Sequence, residues 1–377
     1  MKILFITPYP EGQAPSQRFR FEQYFGVLKE HGHSFRVSSF LSRRAWGILY
    51  KPGHNFQKIL ALFRGYFRRL FDLIGLFRYD VVFIHREASP FGIPWFEWAV
   101  THVFRKHTIY DFDDAIWIPN ASETNRKLTM MFKRFSNPVD ICRWVSVVSV
   151  GNKYLAEFAS RYNPNVVINP TTIDTDHLHK ETSSHDGKRF VIGWTGSHST
   201  VQYLDSLYPV LKRLGGKHDF EFHVICDVPP KFSLKSMKFI RWTKEHEIDD
   251  LMKLNVGIMP LPADVWARGK CGFKALQYMA LGIPALVSDV GVNAEIVDHG
   301  KNGLVCRSEE DWYHGLDRLM SDPQFLKTLS ANARPKIVSQ YSTRSNSPNF
   351  LSLFYPGIPA RVESMNLTSK KSATAEN

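Results

Sequence analysis

Short apolar runs bounded by polar or glycine-bearing turns alternate along this chain with stretches of three-and-four spacing. The runs Lys2–Thr7, Phe35–Phe40, Asp80–His85, Thr108–Asp111, Trp144–Val150 and Val166–Ile168 form a first series. Phe190–Trp194, Phe220–Cys226, Ile240–Trp242, Val256–Leu261, Ala285–Ser288 and Leu304–Val305 form a second. Near-continuous apolar runs of this length predict strands covered on both faces. Helical spacing separates them: Ser16–His31, with Ser16 as cap and Gly32 as stop, then Lys153–Tyr162, Val201–Leu214, Asp249–Lys253, Phe273–Leu281 and 309–340. Strand–helix alternation carried out twice predicts an α/β protein of two Rossmann-like, doubly wound domains. A chain of 377 residues has the length for two such domains.

One segment does not fit simple alternation. Between Phe56 and Phe77 the apolar residues Phe56, Ile59, Leu60, Phe63, Phe67, Leu70, Phe71, Ile74 and Phe77 follow three-and-four spacing, so one face of a helix is apolar. From Arg43 to Arg78 there are eight Lys or Arg residues and one acid, Asp72. Two readings stand: a helix packed on its own domain, or one docked on an anionic membrane.

The net charge of +12 favours anionic partners, and aromatic residues mixed with cations on one helix suit a membrane interface better than a nucleic-acid groove. No nucleic-acid partner is expected. The four cysteines (Cys142, Cys226, Cys271, Cys306) have no paired spacing, which points to a reducing compartment and away from structural zinc. The apolar start Ile3–Ile6 is too short for a signal peptide, and no uncharged apolar run reaches membrane-spanning length. The expected location is cytoplasmic, with peripheral contact at the inner face of the membrane through 56–77.

Candidate chemistry concentrates at residues 264–297. Arg268-Gly269-Lys270-Cys271-Gly272 is a cationic, glycine-rich loop running into the helix Phe273–Leu281, which Gly282 and Pro284 stop. A loop of this kind leaves backbone N–H groups free at the positive end of a helix dipole, where an anion is stabilised. Lys270 and Lys274, four apart, clamp that anion from one side, and a diphosphate is the natural guest. Gly193-Trp194-Thr195-Gly196, after a strand, permits close backbone approach to a ligand, but it departs from GxGxxG and argues against a dinucleotide cofactor. Elsewhere, Asp111, Asp113 and Asp114 fall within four residues at a strand end, near His85 and Arg86 at another. Such acids either bind a divalent ion in a metal-dependent transferase, or line a cleft and cap a helix.

The segment 264–297 is similar to the donor-site signature of the GT-B glycosyltransferases of the large retaining family 4. There an acidic-x7-acidic motif ends in a helix followed by small-Met-Ala-x-Gly-x-Pro-x-Val. Gln277-Tyr278-Met279-Ala280-Leu281-Gly282-Ile283-Pro284-Ala285-Leu286-Val287 matches its second half, while Gly269 and Gln277 stand where the two acids would be. The resemblance covers residues 1 to about 345 and implies the following. The fold is GT-B, with an acceptor-side domain over 1–169, a nucleotide-sugar domain over 170–345 and a C-terminal segment 346–377 that ends disordered from about Pro356. The crossover lies at Asn169–Asp174. A sugar passes from a nucleoside diphosphate to a glycan or lipid-linked acceptor, with retention, in cell-surface polysaccharide synthesis, and no metal or other cofactor is needed. Donor binding falls to Gly196, Arg268, Lys270, Gly272, Lys274 and Gln277. The acceptor and reaction side falls to Arg18, Arg20, His85, Arg86, Asp113 and Asp114. Glu295 caps its helix or touches the donor, and Trp242 either stacks on the nucleobase or fills the core. Loss of both signature acids leaves a second reading open, a divergent member that binds nucleotide without turnover.

Overall fold

The computed structural model describes residues 1–51, 53–119, 133–184 and 189–355. Two six-stranded parallel sheets carry the chain. The first has the order β2-β1-β3-β4-β5-β6, from β1 (Lys2–Thr7), β2 (Ser34–Ser39), β3 (Val81–His85), β4 (His107–Phe112), β5 (Val147–Val150) and β6 (Val166–Ile168). The second runs β12-β11-β10-β7-β8-β9, from β7 (Phe190–Thr195), β8 (Phe220–Cys226), β9 (Met237–Arg241), β10 (Val256–Met259), β11 (Ala285–Ser288) and β12 (Gly303–Cys306). Strand order reverses at β1/β3 in one sheet and at β7/β10 in the other. Ligands of open α/β sheets bind outside the carboxyl ends at these switch points.

The helices of the first domain are α1 (Pro15–Arg18), α2 (Phe25–Glu30), α3 (Arg43–Ile48), α4 (Asn55–Ile74), α5 (Trp95–Trp98), α6 (Asn137–Trp144) and α7 (Lys153–Ala159). The single helix expected over Ser16–His31 is broken. Phe19, Arg20 and Phe21 are all buried, and three consecutive inward residues cannot share one helical face, so the chain turns after α1 and restarts through a 3-10 turn. The second domain adds α8 (Tyr208–Gly215), α9 (Glu247–Leu251), α10 (Val265–Arg268), α11 (Phe273–Ala280), α12 (Asn293–Ile296), α13 (Glu309–Ser321) and α14 (Pro323–Gln340). The helix expected over Val201–Leu214 is a 3-10 stretch as far as Leu207, and α8 starts afresh with Pro209 in its first turn, because proline has no N–H to continue a preceding helix.

After α14 the chain returns to the first domain. Ile173 and Ser342 form a parallel bridge, with Ile173 N–H donating to Tyr341 at 2.9 Å and Thr343 N–H donating to Ile173 at 3.0 Å. The last helix, α15 (Thr343–Ser352), lays Phe350, Leu353 and Phe354 against Phe5, Phe21, Tyr24 and Phe83 of the first domain. Residues 343–355, the start of the C-terminal segment, thus pack into the first domain's core. Helical spacing is weak there because the helix buries few side chains. The disorder expected from Pro356 onward falls outside the described residues. No described helix is long and apolar enough to cross a membrane.

Phe350 stacks on Tyr24 with ring centroids 4.2 Å apart in a fully buried position. Phe350→Ala is expected to cost about 3–5 kcal/mol of stability through the cavity it leaves. Denaturant unfolding measures this; a loss under about 1 kcal/mol would mean that α15 does not share the first domain's core.

Candidate active site

The carboxyl ends of the two sheets face each other, and charged side chains bridge the gap. Arg86 follows β3 with φ at +61°, a left-handed backbone that residues other than glycine seldom adopt, and its N–H donates to the Asp111 carbonyl at 2.7 Å. That turn aims the guanidinium at the end of β4, where it binds Asp113 Oδ1 at 2.7 Å and Asp114 Oδ2 at 2.6 Å. From the other domain Lys270 Nζ reaches Asp114 Oδ1 at 2.8 Å. Burial alone would raise the Asp114 carboxyl, but Lys270 and Arg86 outweigh it and hold it below the usual range. The same contact raises the Lys270 ammonium against the opposing effect of burial. The structure therefore joins Asp113, Asp114 and Arg86 and brings Lys270 to them; Lys270 is engaged by a carboxylate where the sequence suggested an open cation.

The glycine loop touches the first domain directly. Asn152 caps α7 by accepting from Leu155 N–H at 2.9 Å, and its Nδ2 points at the carbonyls of Arg268, Gly269 and Lys270 at 3.4, 3.1 and 3.2 Å. A side chain at Gly269 would place its Cβ 2.8 Å from the Ala115 backbone nitrogen, and one at Gly151 would meet Cys271 Sγ at 2.2 Å. The place of the signature's first acid is therefore occupied by the other domain's backbone. Nothing in the periodicity singled out Asn152; its only sequence signal is its position at a strand end before a helix.

The helix α11 begins at Gly272, which sits at φ +68° with its Cα hydrogens against Ile296 and leaves the first turn without a side-chain cap. Lys274 lies in that first turn, its Nζ 5.6 Å from the centre of the Trp194 ring, and makes no ion pair among the described residues. Burial, then the charge on Lys270, pushes the Lys274 ammonium down to about 8. A desolvated cation beside uncapped N–H groups has one physical complement, an anion.

Other expected residues sit elsewhere. His85 and Arg20 are in the first domain's core, gathered with Ser149 around Asp111: His85 Nδ1 at 2.8 Å, Ser149 Oγ at 2.7 Å, and Arg20 in contact with both Asp111 and the Asn169 carbonyl. Burial opposes ionisation of Asp111, yet Arg20 and His85 outweigh it and hold the carboxyl far below normal. Both compensate the charge of the buried carboxylate at that strand end. Arg18 crosses to the second domain and pairs with Glu247 at 2.7 Å, both enclosed. Gln277 is 1% exposed and its Nε2 points at Glu247 Oε1, 3.4 Å away. Gly196 donates its N–H to the Ile225 carbonyl at 3.1 Å and makes room for the Trp194 ring, so that amide is not free for a ligand. Arg268 ends α10 with its side chain exposed. Glu295 pairs at the surface with Lys153 of the first domain at 3.5 Å, and Trp242 packs against the second core. At the cleft mouth Tyr50 meets His198, ring centroids 4.6 Å apart, and His198 is held by Asp227 through its N–H at 2.6 Å and its ring at 2.9 Å. Asp111, Asp113 and Asp114 are each committed to cations, and no three His, Cys, Asp or Glu side chains among the described residues converge to hold a metal.

Two facing Rossmann-like domains with a cleft between their carboxyl edges are the GT-B architecture. The comparisons with known proteins agree. Residues 180–336 match the family model for glycosyl transferases group 1. Over nearly its whole length the chain superposes on sucrose-phosphate synthase from Thermosynechococcus elongatus, with a TM-score of 0.68, 12% identity and coverage of 94% and 98% of the two chains. HepE from Anabaena in complex with UDP-glucose gives a TM-score of 0.59 at 15% identity, covering 93% and 99%. An uncharacterized glycosyltransferase from Methanocaldococcus jannaschii is 36% identical over 73 residues, a segment spanning 19% of each chain. The chain has the GT-B fold, and residues 180–336, most of its second domain, are similar to the group 1 glycosyltransferases.

Removing Glu247 leaves Arg18 as an unpaired buried cation. Glu247→Ala is expected to cost about 3–5 kcal/mol, and Arg18→Met/Glu247→Leu to recover most of it. A double-mutant unfolding cycle checks this; additive losses would show that the two side chains do not couple across the cleft.

Proposed function

We propose that this protein transfers a sugar from a nucleoside-diphosphate donor to a glycan or lipid-linked acceptor, with retention at the anomeric carbon, in cell-surface polysaccharide synthesis. The observation that carries the reading is Lys274: a half-buried lysine without an ion-pair partner among the described residues, in the uncapped first turn of α11. The donor's diphosphate supplies the missing negative charge. As the bond from the anomeric carbon to the diphosphate breaks, charge grows on the leaving oxygen, and Lys274 with the α11 N–H groups stabilises it. Arg86, Asp113, Asp114 and Lys270 hold the two domains together around the reacting atoms and exclude water, which otherwise consumes the activated sugar. No side chain is placed as a dedicated nucleophile in this scheme, in keeping with front-face displacement. The binding of UDP-glucose by the structurally similar HepE supports a uridine donor as the first to test. Peripheral contact with an anionic membrane through residues 56–77 is part of the same proposal and suits a lipid-linked acceptor.

A second reading has an observation of its own. Gly269 is covered by Ala115 and Gln277 is enclosed, so neither signature position offers a carboxylate to a donor. A protein that binds the nucleotide-sugar without transferring it would carry these changes.

Binding and hydrolysis of UDP-, GDP- and ADP-sugars by wild type and Lys274→Ala separate the readings. We expect one donor to bind, to release its nucleoside diphosphate slowly, and to bind at least about 10-fold more weakly to the variant, a loss of about 1.4 kcal/mol. Tight binding without release, in the presence of candidate acceptors, would favour the non-catalytic reading; no binding at all would overturn both. The pH dependence follows from the depressed ammonium. In the free protein Lys274 is charged below about 8 and neutral above it, whereas a bound diphosphate stabilises its charged form. Donor affinity is therefore expected to hold on the acid side of that value and to fall as pH rises through it, and Lys274→Ala should flatten the profile.

A further inference from the structure

Helix α4 is turned inside out. At ~100° per residue its apolar positions Phe56, Ile59, Leu60, Phe63, Phe67, Leu70, Phe71 and Ile74 occupy about a third of its circumference. That third faces solvent: Phe56 is 78% exposed, Phe63 and Phe67 60%, Phe71 70%, and Phe77 just beyond the helix 70%. The face turned inward is built on Gly65, Arg69 and Asp72. Gly65 lies against the Phe40 ring, and Arg69 is buried in bonds to Asp72 (3.1 Å), the Ala88 carbonyl (2.7 Å) and the Thr7 carbonyl (2.9 Å). The helix is thus seated by these polar bonds and by Ala61, Leu62 and Tyr66 packed against the Phe40 cluster, and its outward stripe of phenylalanines packs on no buried cluster of the described chain. Scattered apolar residues on a surface are ordinary; a continuous stripe of this kind marks an interaction face.

The apolar surface extends past α4. The crossovers from β2 to β3 and from β3 to β4 advance in the same direction along the sheet, so right-handed connections place both on one face. Leu76, Phe96 and Val100 share the core beneath them. Tyr66 Oη donates to the Phe91 carbonyl at 2.8 Å and Lys106 Nζ to the Tyr79 carbonyl at 2.7 Å, fixing the second crossover beside α4. That crossover also exposes Ile93, Trp98 and Val103 on the same side of the sheet. Cations accompany the surface: Arg64 borders the stripe on α4, and Arg78 and Arg105 are exposed in the segments that follow it, while Arg68 is turned back to the Ser39 carbonyl. Of the acids between residues 54 and 106, Asp72, Glu87 and Glu97 are buried, and Asp80 accepts from the Lys2 N–H at the sheet's amino edge.

We infer that α4 and the segment around Trp98 form a docking surface for an anionic lipid bilayer, with the phenylalanines inserted among the acyl chains and the arginines on the phosphate headgroups. Charge decides the occupant. A second copy packed through the same face would set its arginines against an identical set with no acids to neutralise them. Anionic headgroups above an apolar layer match both features at once. The inference deepens the membrane contact in the proposed function and makes the acceptor a substrate presented at the bilayer surface.

The test uses the full chain and vesicles of phosphatidylcholine, with and without phosphatidylglycerol, in a sedimentation assay. Wild type is expected to co-sediment with the anionic vesicles and at least about 10-fold more weakly with the neutral ones or in high salt. Phe63→Ser/Phe67→Ser/Phe71→Ser is expected to lose that binding while keeping its melting temperature and nucleotide affinity. Wild type remaining in solution with both vesicles, or a triple variant that binds like wild type, would overturn the inference. So would a wild-type dimer in sedimentation equilibrium that the triple variant dissolves. Vesicle binding needs neither donor nor turnover, so this result and the transferase reading fail independently.

Discussion

The salt-bridged chain Arg86–Asp114–Lys270 is the contact on which the geometry of the cleft depends. It joins the end of β3, the end of β4 and the glycine loop 268–272 in two short bonds, the second of them between domains. Around it the domains approach so closely that a side chain at 269 would meet the Ala115 backbone and one at 151 the Cys271 sulfur, and Asn152 gathers the loop carbonyls that this closeness would otherwise leave without donors. Alanine at either glycine would force the domains apart, and with them the pairing that keeps Asp114 ionised. Charge and steric fit therefore support each other.

That arrangement divides the labour of two lysines that look equivalent. Lys270 and Lys274 are four residues apart on a loop and a helix, and sequence alone treats them as a clamp. Folding gives Lys270 a carboxylate and gives Lys274 the face of Trp194. One cation therefore serves closure, and its pKa is raised; the other is left desolvated and its pKa falls. The difference comes from Asp114, which lies more than a hundred and fifty positions away in the chain.

How much was legible follows the same line. The inner strands were, because burial on both faces writes continuous apolar runs, whereas the half-exposed edge strand β9 starts at Met237 and not Ile240, and β5 starts at Val147 because Trp144 ends a helix; the α11 start was legible too, because glycine, lysine and the Gly-x-Pro stop are local signals. Residues whose roles depend on a distant partner were not. His85 and Arg20 sit at strand and helix ends that look like cleft positions, yet the buried Asp111 draws both inward. Glu247, which supplies a carboxylate beside Gln277 where the motif has lost its own, stands in an ordinary short acidic helix of the second domain. The return of α15 to the first domain was hidden because its few buried residues carry no clear period.

Helix α4 shows a different limit. Periodicity reports that a helix has an apolar face but not which way the face points. Direction was set here by Arg69 and Asp72, two charges that would ordinarily be placed on the wet side. Their burial is sustained by the Thr7, Ser38 and Ala88 acceptors at the ends of β1 and β2 and beyond β3. Those strand ends lie on the first domain's side of the cleft. The same polar anchor thus fixes the outward apolar stripe and the carboxyl edge of the first sheet, so a bilayer seated on α4 would hold that edge at a set height above the membrane. For an acceptor carried on a lipid, this is the geometric condition for its head to reach the donor without leaving the surface.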